Sequence, residues 1–367
     1  MIDVAFAIPG DLDALTGGYA YDRRLIQHLP AHGVTAHHIA LSGSFPDPTS
    51  DDLETTQHLL SQIAPATPIL FDGLAFGALP PEIVTAIASP VIALVHHPLA
   101  LETGLDTTRQ RQFQARERFA LQHATAVIAT SPTTGRTLLR DYAVEAVRLT
   151  IAEPGTSPAI RASGTGRPFT MLAVGSLIPR KGYPVLIDAV TRLTASHAAR
   201  LPDWRLTIVG STAHSPGEAN VIRECLLQSG LRRNITLAGE VSARDLSRLY
   251  ARADLFVMPS LYEGYGMVLA EAMARGLPIV ATTGGAAAET VPDDTAIKVP
   301  PGDPNALAEA LATVMFDADC LARLARASWD AGRRLPDWPA TAARVADTLK
   351  AVAARRPTDG NHSESAP

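Results

Sequence analysis

Four strings in this chain have residue types and spacings that can do chemistry. The first is Gly175 to Gly182, GSLIPRKG, which follows an apolar run and precedes an amphipathic one. Its glycines let the backbone approach a phosphate, the helix start behind it offers unpaired N–H groups, and Arg180 and Lys181 supply counter-charge for a diphosphate. The order is not that of a P-loop, which needs GxxxxGK[ST]. Two cations at a helix start oppose the macrodipole, so their position calls for a reason. Lysine is also scarce: Lys181, Lys298 and Lys350 are the only three among 32 basic residues.

The second string is Ser260 to Gly276, SLYEGYGMVLAEAMARG. Glu263 and Glu271 would lie about 80° apart on one continuous helix, at roughly 100° per residue. Gly264 and Gly266 argue against such a helix and free Glu263 to point into a cleft. The amides of Gly264, Tyr265, Gly266, Met267 and Val268 then gather at the start of the helix that carries Glu271. Such a loop offers carboxylates to sugar or ribose hydroxyls and N–H donors to phosphate. Each glutamate alone reads more often as a surface residue than as a ligand, and only the whole string carries the reading.

The third string is the pair His96-His97, at the end of the apolar run PVIALV. A histidine there can donate to a sugar hydroxyl or to developing charge, with a pKa near neutrality. The fourth is Thr16-Gly17-Gly18-Tyr19, between the first apolar run and a helix pattern. It can turn backbone N–H groups toward the same phosphate. Asp11-Leu12-Asp13 and Asp317-Ala318-Asp319 are DxD strings, short enough to arise by chance, and neither is assigned a metal. The chain has no HExxH, no GxSxG elbow and no GxGxxG fingerprint.

These strings need elements that put them on one side of a sheet. Short apolar runs at Val4–Ile8, Val34–Leu41, Pro68–Phe71, Val91–Val95, Ala126–Ala129 and Val147–Ile151 alternate with helix-like stretches. They lack the period-2 alternation of a half-exposed sheet, as parallel strands buried on both faces do. The alternation restarts at Phe169 and continues through Leu206–Val209, Ile235–Ala238, Leu255–Met258 and Pro278–Ala281. Between the two series lies EPGTSPAIRASGTGRP, residues 153–168, rich in turn formers. The prediction is an α/β protein of two Rossmann-like doubly wound domains facing a cleft, with ligands at the C-terminal ends of the strands. Residues 1–155 form the first domain, 156–168 a linker and 169–335 the second domain. Residues 336–354 form a helix packing across the boundary, and 355–367 a disordered polar tail.

Composition narrows the class. The 367 residues, 46% of them hydrophobic, suit two full cores and exclude a mainly disordered chain. A net charge of −5 excludes a general nucleic-acid binder. Cys225 and Cys320 lie far apart with no CxxC spacing, so the expectation is a reducing, cytoplasmic setting with neither disulfide nor zinc. The first residues carry no basic n-region, no apolar run approaches a membrane span, and a soluble chain without a leader is expected. Peripheral contact with a membrane surface stays open.

Together these strings resemble the retaining glycosyltransferases of family 4, which have the two-domain GT-B fold. The resemblance covers roughly residues 1–350 and is densest in GSLIPRKGYPVLIDAV, in DLSRLYARADLFVMPSLYEGYGMVLAEAMARGLPIVAT and in GGAAAETV. It implies that Glu263 contacts donor-sugar hydroxyls and that Glu271 holds the nucleotide ribose. The backbone of Gly264 to Val268 would serve sugar and phosphate, and Lys181 the diphosphate. It also implies that Gly17 and Gly18 turn near the diphosphate and that His96 is the active-site histidine, with His97 as the other register. Many members carry an arginine after the glycine matching Gly175; here Ser176 stands there, and Arg180 is the nearest substitute. Implied in turn are transfer of a sugar from a UDP- or GDP-linked donor with retained configuration, an acceptor left undefined, and no metal or other cofactor. The first domain would hold the acceptor. A nucleotide-sugar epimerase or a phosphorylase on the same fold, or a two-lobed solute-binding protein, are the competing readings.

Overall fold

In the computed structural model, residues 1–354 apart from position 214 are described; the tail expected to be disordered lies outside them. The first half builds a parallel sheet from β1 (Ile2–Pro9), β2 (Val34–Leu41), β3 (Ile69–Asp72), β4 (Val91–Val95), β5 (Ala126–Ala129) and β6 (Leu149–Ile151), in the order β2-β1-β3-β4-β5-β6. The second half repeats the plan with β7 (Phe169–Val174), β8 (Trp204–Val209), β9 (Ile235–Gly239), β10 (Leu255–Met258), β11 (Ile279–Thr282) and β12 (Ala296–Val299), in the order β12-β11-β10-β7-β8-β9. Every paired strand is parallel. Strands β3, β4, β5, β10 and β11 are buried along their whole length. Helices therefore cover both faces of each sheet, which is why the strands read as unbroken apolar runs.

Strand order reverses between β1 and β3 in one sheet and between β7 and β10 in the other. At such a switch point neighbouring loops leave in opposite directions and open a crevice at the strand C-termini. The strings singled out by their chemistry leave β1, β4, β7 and β10, so each borders a switch point or the strand next to one.

Besides the short helices Gly73–Phe76, Pro81–Ala86 and Ala287–Thr290, a strand and a longer helix go beyond the expected series. Strand β12, sequence AIKV, is only four residues long and carries Lys298, too little pattern to read. The helix Ala318–Gly332 begins one residue after the helix Pro304–Phe316, with Asp317 as the break. The Asp317 carboxylate accepts a hydrogen bond from the Cys320 amide at 2.8 Å and caps the second helix. That accounts for the second DxD string. In the first, Asp11 accepts from the Asp13 amide, a local turn.

Residues 152–166 carry no regular secondary structure. They are tied down all the same: Thr156 N–H donates to Pro336 O at 2.8 Å, and the Asp254 carboxylate accepts from the amides of Thr165, Gly166 and Thr170. The last helix, Trp338–Ala353, returns to the first half of the chain. Its apolar face, Trp338, Ala342, Val345, Ala346, Leu349 and Val352, follows helical spacing and joins the core made by Val4, Phe6, Ile8, Tyr21 and Leu25. The chain thus crosses between domains twice. No helix among the described residues is long and apolar enough to cross a membrane.

Because Leu349 is fully buried in that core, Leu349→Ala is expected to destabilise the first domain by about 2–5 kcal/mol through lost burial and a cavity. Urea unfolding would check this, and a loss below about 1 kcal/mol would show that the last helix is not part of the core.

Candidate active site

In the second domain the loops after β7 and β10 meet at the switch point. The Glu263 side chain, 6% exposed, accepts from Lys181 Nζ at 2.6 Å and from Arg180 Nη1 at 3.3 Å. Arg180 Nη1 also donates to the Tyr262 carbonyl at 2.8 Å, and Leu261 N–H to the Arg180 carbonyl at 2.7 Å, so the two loops are laced by backbone as well as charge. The Tyr183 hydroxyl donates to Gly175 O at 2.8 Å and holds the turn in which Gly175 lies against the Lys181 stem. Ser176 sits beside Gly210 at the end of β8.

Burial alone would raise the Glu263 carboxyl, but Lys181 and Arg180 beside it overcome this and hold it down at about 2. The Lys181 ammonium is pulled the other way. Burial lowers it below the ordinary lysine value, Arg180 adds to that, and Glu263 opposes both. A third element enters from the first domain: Glu102 lies 3.3 Å from Arg180 Nε and 3.2 Å from His97 Nε2. Burial would raise Glu102 too, yet His97 and Arg180 take it below its ordinary value. Two cations therefore face two carboxylates, and the loop read as basic from its sequence is charge-matched here by Glu263 and Glu102.

The first domain supplies the opposite wall. The Thr16 hydroxyl accepts from Tyr19 N–H and caps the helix Gly17–His28. Gly18 packs on the His96 ring, 3.5 Å from where its Cβ would be, and Gly17 faces Met267 Sδ of the other domain at 3.9 Å on the same measure. A Cβ at Gly264 would run into the His96 carbonyl oxygen, so only glycine allows the β10 loop to approach so closely. Gly266, at φ +89°, turns the chain into the helix Met267–Ala274. The Thr134 hydroxyl reaches Gly264 O at 3.4 Å, Thr290 donates to Tyr265 O at 2.6 Å, and Thr133 Oγ1 donates to Glu289 across the cleft at 2.9 Å. Arg136 pairs with the same glutamate.

The predicted residues thus fall into three groups. Gly17, Gly18, His96, Gly264 and Met267 line the seam between domains, while Gly266 lies against Glu263 and Leu269 of its own domain. Gly175, Arg180, Lys181 and Glu263 form the charge cluster one residue from Gly264. Glu271, one turn further along the helix, accepts at Oε2 from the Tyr250 hydroxyl at 3.0 Å, and the first-domain Arg24 adds its charge to the pull on this carboxyl. Burial raises its carboxyl above the ordinary value, against the pull of Tyr250 and Arg275. The two histidines turn apart, His97 toward Glu102 and His96 toward Asp22 and Asp72.

Four acidic residues at this seam were not foreseen. Asp22 and Asp72 are buried against His96, and Glu102 ties the domains. Glu117, fully buried and raised to about 8 by burial despite its hydrogen bonds, accepts from Leu99 N–H at 3.0 Å and holds the segment after His97. Asp72 at the C-terminal end of an otherwise apolar strand was the one legible signal. The others occupy positions that look like solvated helix or loop faces.

Residues 168–317 match the family model described as "Glycosyl transferases group 1". The mannosylfructose-phosphate synthase of Agrobacterium fabrum is 34% identical over 43% of this chain and 38% of its own length. A D-inositol 3-phosphate glycosyltransferase of Xylanimonas cellulosilytica is 28% identical over 63% and 58% respectively. The chain spans about half the length of these curated relatives. Among solved structures, the sucrose-phosphate synthase of Thermosynechococcus elongatus superposes with a TM-score of 0.79 at 22% identity, covering 96% of this chain and 99% of that one, a likeness of fold.

The depressed Glu263 gives stability that is present above the ordinary carboxyl value of 4.5 and lost as pH falls toward about 2. Glu263→Gln is expected to cost about 3 kcal/mol at pH 7, by leaving two buried cations short of an anion, and to flatten this acid slope. Urea unfolding across pH measures both effects, and an unchanged slope would remove Glu263 as the source.

Proposed function

From the match of residues 168–317 to the glycosyl transferases group 1 model, we propose that the chain is a cytoplasmic, retaining hexosyltransferase. It moves a sugar from a UDP- or GDP-linked donor to an acceptor hydroxyl. The observation that carries this reading is the meeting of Lys181, Arg180 and Glu263 at one switch point, directly across from His96 and the Gly17-Gly18 turn. A carboxylate for sugar hydroxyls, cations for a diphosphate and backbone N–H groups at a helix start stand within one loop's reach of each other.

The chemistry follows from where charge develops. As the bond between C1 of the sugar and the β-phosphate oxygen breaks, negative charge grows on the leaving diphosphate. Lys181 and Arg180, with the amides of Gly264 to Val268, are the preorganised donors for it. The acceptor oxygen forms its bond to C1 on the face the diphosphate leaves, and its proton passes to a diphosphate oxygen. No carboxylate is needed as a covalent nucleophile, and the chain's own cations do the work that a metal does elsewhere. Glu263 accepts from donor-sugar hydroxyls and also orients Lys181. Glu271, held by Tyr250, accepts from the ribose. The names of the curated relatives put phosphorylated sugars and inositols first in a screen for acceptors.

The test is a donor-hydrolysis screen across nucleotide-sugars, followed by mass spectrometry of products formed with candidate acceptors. Thermal stabilisation by UDP or GDP should accompany turnover. Stabilisation by free sugars alone, with no nucleotide-sugar consumed, would overturn the proposal in favour of a binding protein. Lys181→Ala is expected to lower kcat/KM by about 10²- to 10³-fold, the scale of one preorganised donor; near wild-type turnover would remove Lys181 from the site. For Glu271→Ala the expectation is weaker binding of the free nucleoside diphosphate by calorimetry with an unchanged unfolding midpoint, and unchanged affinity would count against the ribose role.

A further inference from the structure

His96 sits in an enclosure that its position after a strand does not require. Its Nε2 lies 3.4 Å from Asp22 Oδ1 and 3.5 Å from Asp72 Oδ2, and both carboxylates are buried, Asp22 completely. They arrive from different elements, Asp22 from the helix after the Gly17-Gly18 turn and Asp72 from the end of β3. Gly18 closes the ring face at Cδ2 and Nε2, and the Tyr21 ring meets the imidazole edge-on at a centroid distance of 5.3 Å. The Tyr21 hydroxyl is itself fixed on Ala152 O at 2.9 Å. Nδ1 has no hydrogen-bond partner among the described residues, and the side chain keeps 22% of its surface open.

We propose that Asp22 and Asp72 are positioning residues that clamp His96 Nε2 from two sides and hold the ring as a permanently charged donor through Nδ1, so that His96 does not act as a general base. The reason is charge. Two buried carboxylates without a cation are costly, and His96 is the cationic group that reaches both. Asp72 has help, since its Oδ1 also accepts from Leu74 N–H at 2.7 Å at a helix start. Asp22 has none: neither its two oxygens nor His96 Nε2 facing it makes a hydrogen bond of good geometry, so the contact holding them is one of charge. Asp22 is therefore the member that depends on the imidazolium most.

The titration follows the geometry. Burial alone would lower the His96 pKa, but the two carboxylates that face Nε2 bring it up to about 10. Burial raises Asp22 to about 7, against the pull of His96 and with a push from Asp72. Asp22 and Asp72 are the charged groups acting on His96; from the other elements packed on it, Tyr21 offers a ring, and Gly18 and Gly264 offer backbone. A ring charged throughout the neutral range suits a donor to a sugar hydroxyl or a developing oxyanion, and it cannot take a proton from an acceptor.

This inference rests on the proposed transferase reading only for what Nδ1 faces. The test is histidine side-chain NMR of the full chain against pH, with the His96 signal identified by its loss in His96→Gln. The wild-type ring is expected to remain imidazolium up to about pH 9, and Asp22→Asn to lower its midpoint by more than about one pH unit. Asp72→Asn is the second variant, should the first fail to fold. A wild-type midpoint near that of an ordinary histidine, or one unmoved in the folded variants, overturns the proposal. So does a wild-type midpoint that shifts on adding EDTA, which would give the three side chains to a metal. In the donor-hydrolysis assay the Asp22→Asn rate is expected to fall as pH rises through the lowered midpoint, while wild type holds level. A rate that instead rises with deprotonation of the ring would restore the general base. If the NMR result holds but no nucleotide-sugar is turned over, the transferase reading fails and the charge state of His96 stands.

Discussion

The pairing of Glu263 with Lys181 and Arg180 is the constraint around which the rest of the site is arranged. One carboxylate buried between two loops needs cations, and two adjacent cations at the start of a helix need an anion. Each side resolves the other's problem, and together they pin the loop after β7 to the loop after β10 at the switch point of the second sheet. Because Gly264 follows Glu263 directly, fixing the carboxylate also fixes the backbone that touches His96 across the cleft. Charge, loop position and domain contact are thus one interaction.

The same logic operates at the domain seam. Glu102 brings first-domain charge to Arg180, and Thr133 with Arg136 brings second-domain Glu289 to the helix after β5. Of these contacts, the Arg136 pair is surface-exposed and contributes little to stability by itself. The Arg180 pair is more enclosed and couples directly to the charge cluster. Closure of the cleft and the electrostatics of the site are therefore linked, since moving the domains apart would strip Arg180 of one carboxylate. The chain crosses between the domains at residues 152–166 and again before the last helix, and these polar contacts join the domains at the cleft.

His96 and Lys181 show two ways of handling a buried charge. Lys181 is matched by a neighbour in its own domain, with burial and a second cation acting against its charge. His96 is overmatched, two carboxylates to one ring, and its charge is reinforced. The site thus sets a cation whose charge is easily perturbed beside one whose charge is locked.

How much could be read beforehand divides along a physical line. The paired doubly wound domains were legible because parallel strands buried on both faces must be apolar throughout, and because glycine turns must follow strands wherever a backbone comes close to something. Gly175, Gly264 and Gly266 announced the loops for that reason, and the string from Glu263 to Glu271 carried the resemblance that the match over residues 168–317 supports. Strand β12 and the helix Ala318–Gly332 were missed because four residues carry too little pattern and because the helix follows another after the single break at Asp317. The partners of the charges could not be read at all. Asp22, Asp72 and Glu102 are separated from His96 and Arg180 by up to 78 positions in the chain, and local patterning registers burial without saying what a buried charge will meet. Sequence by itself determined which residues could carry chemistry and which elements would present them. Only the tertiary structure decided which of those charges neutralise each other, because that depends on loops from two sheets arriving at one place.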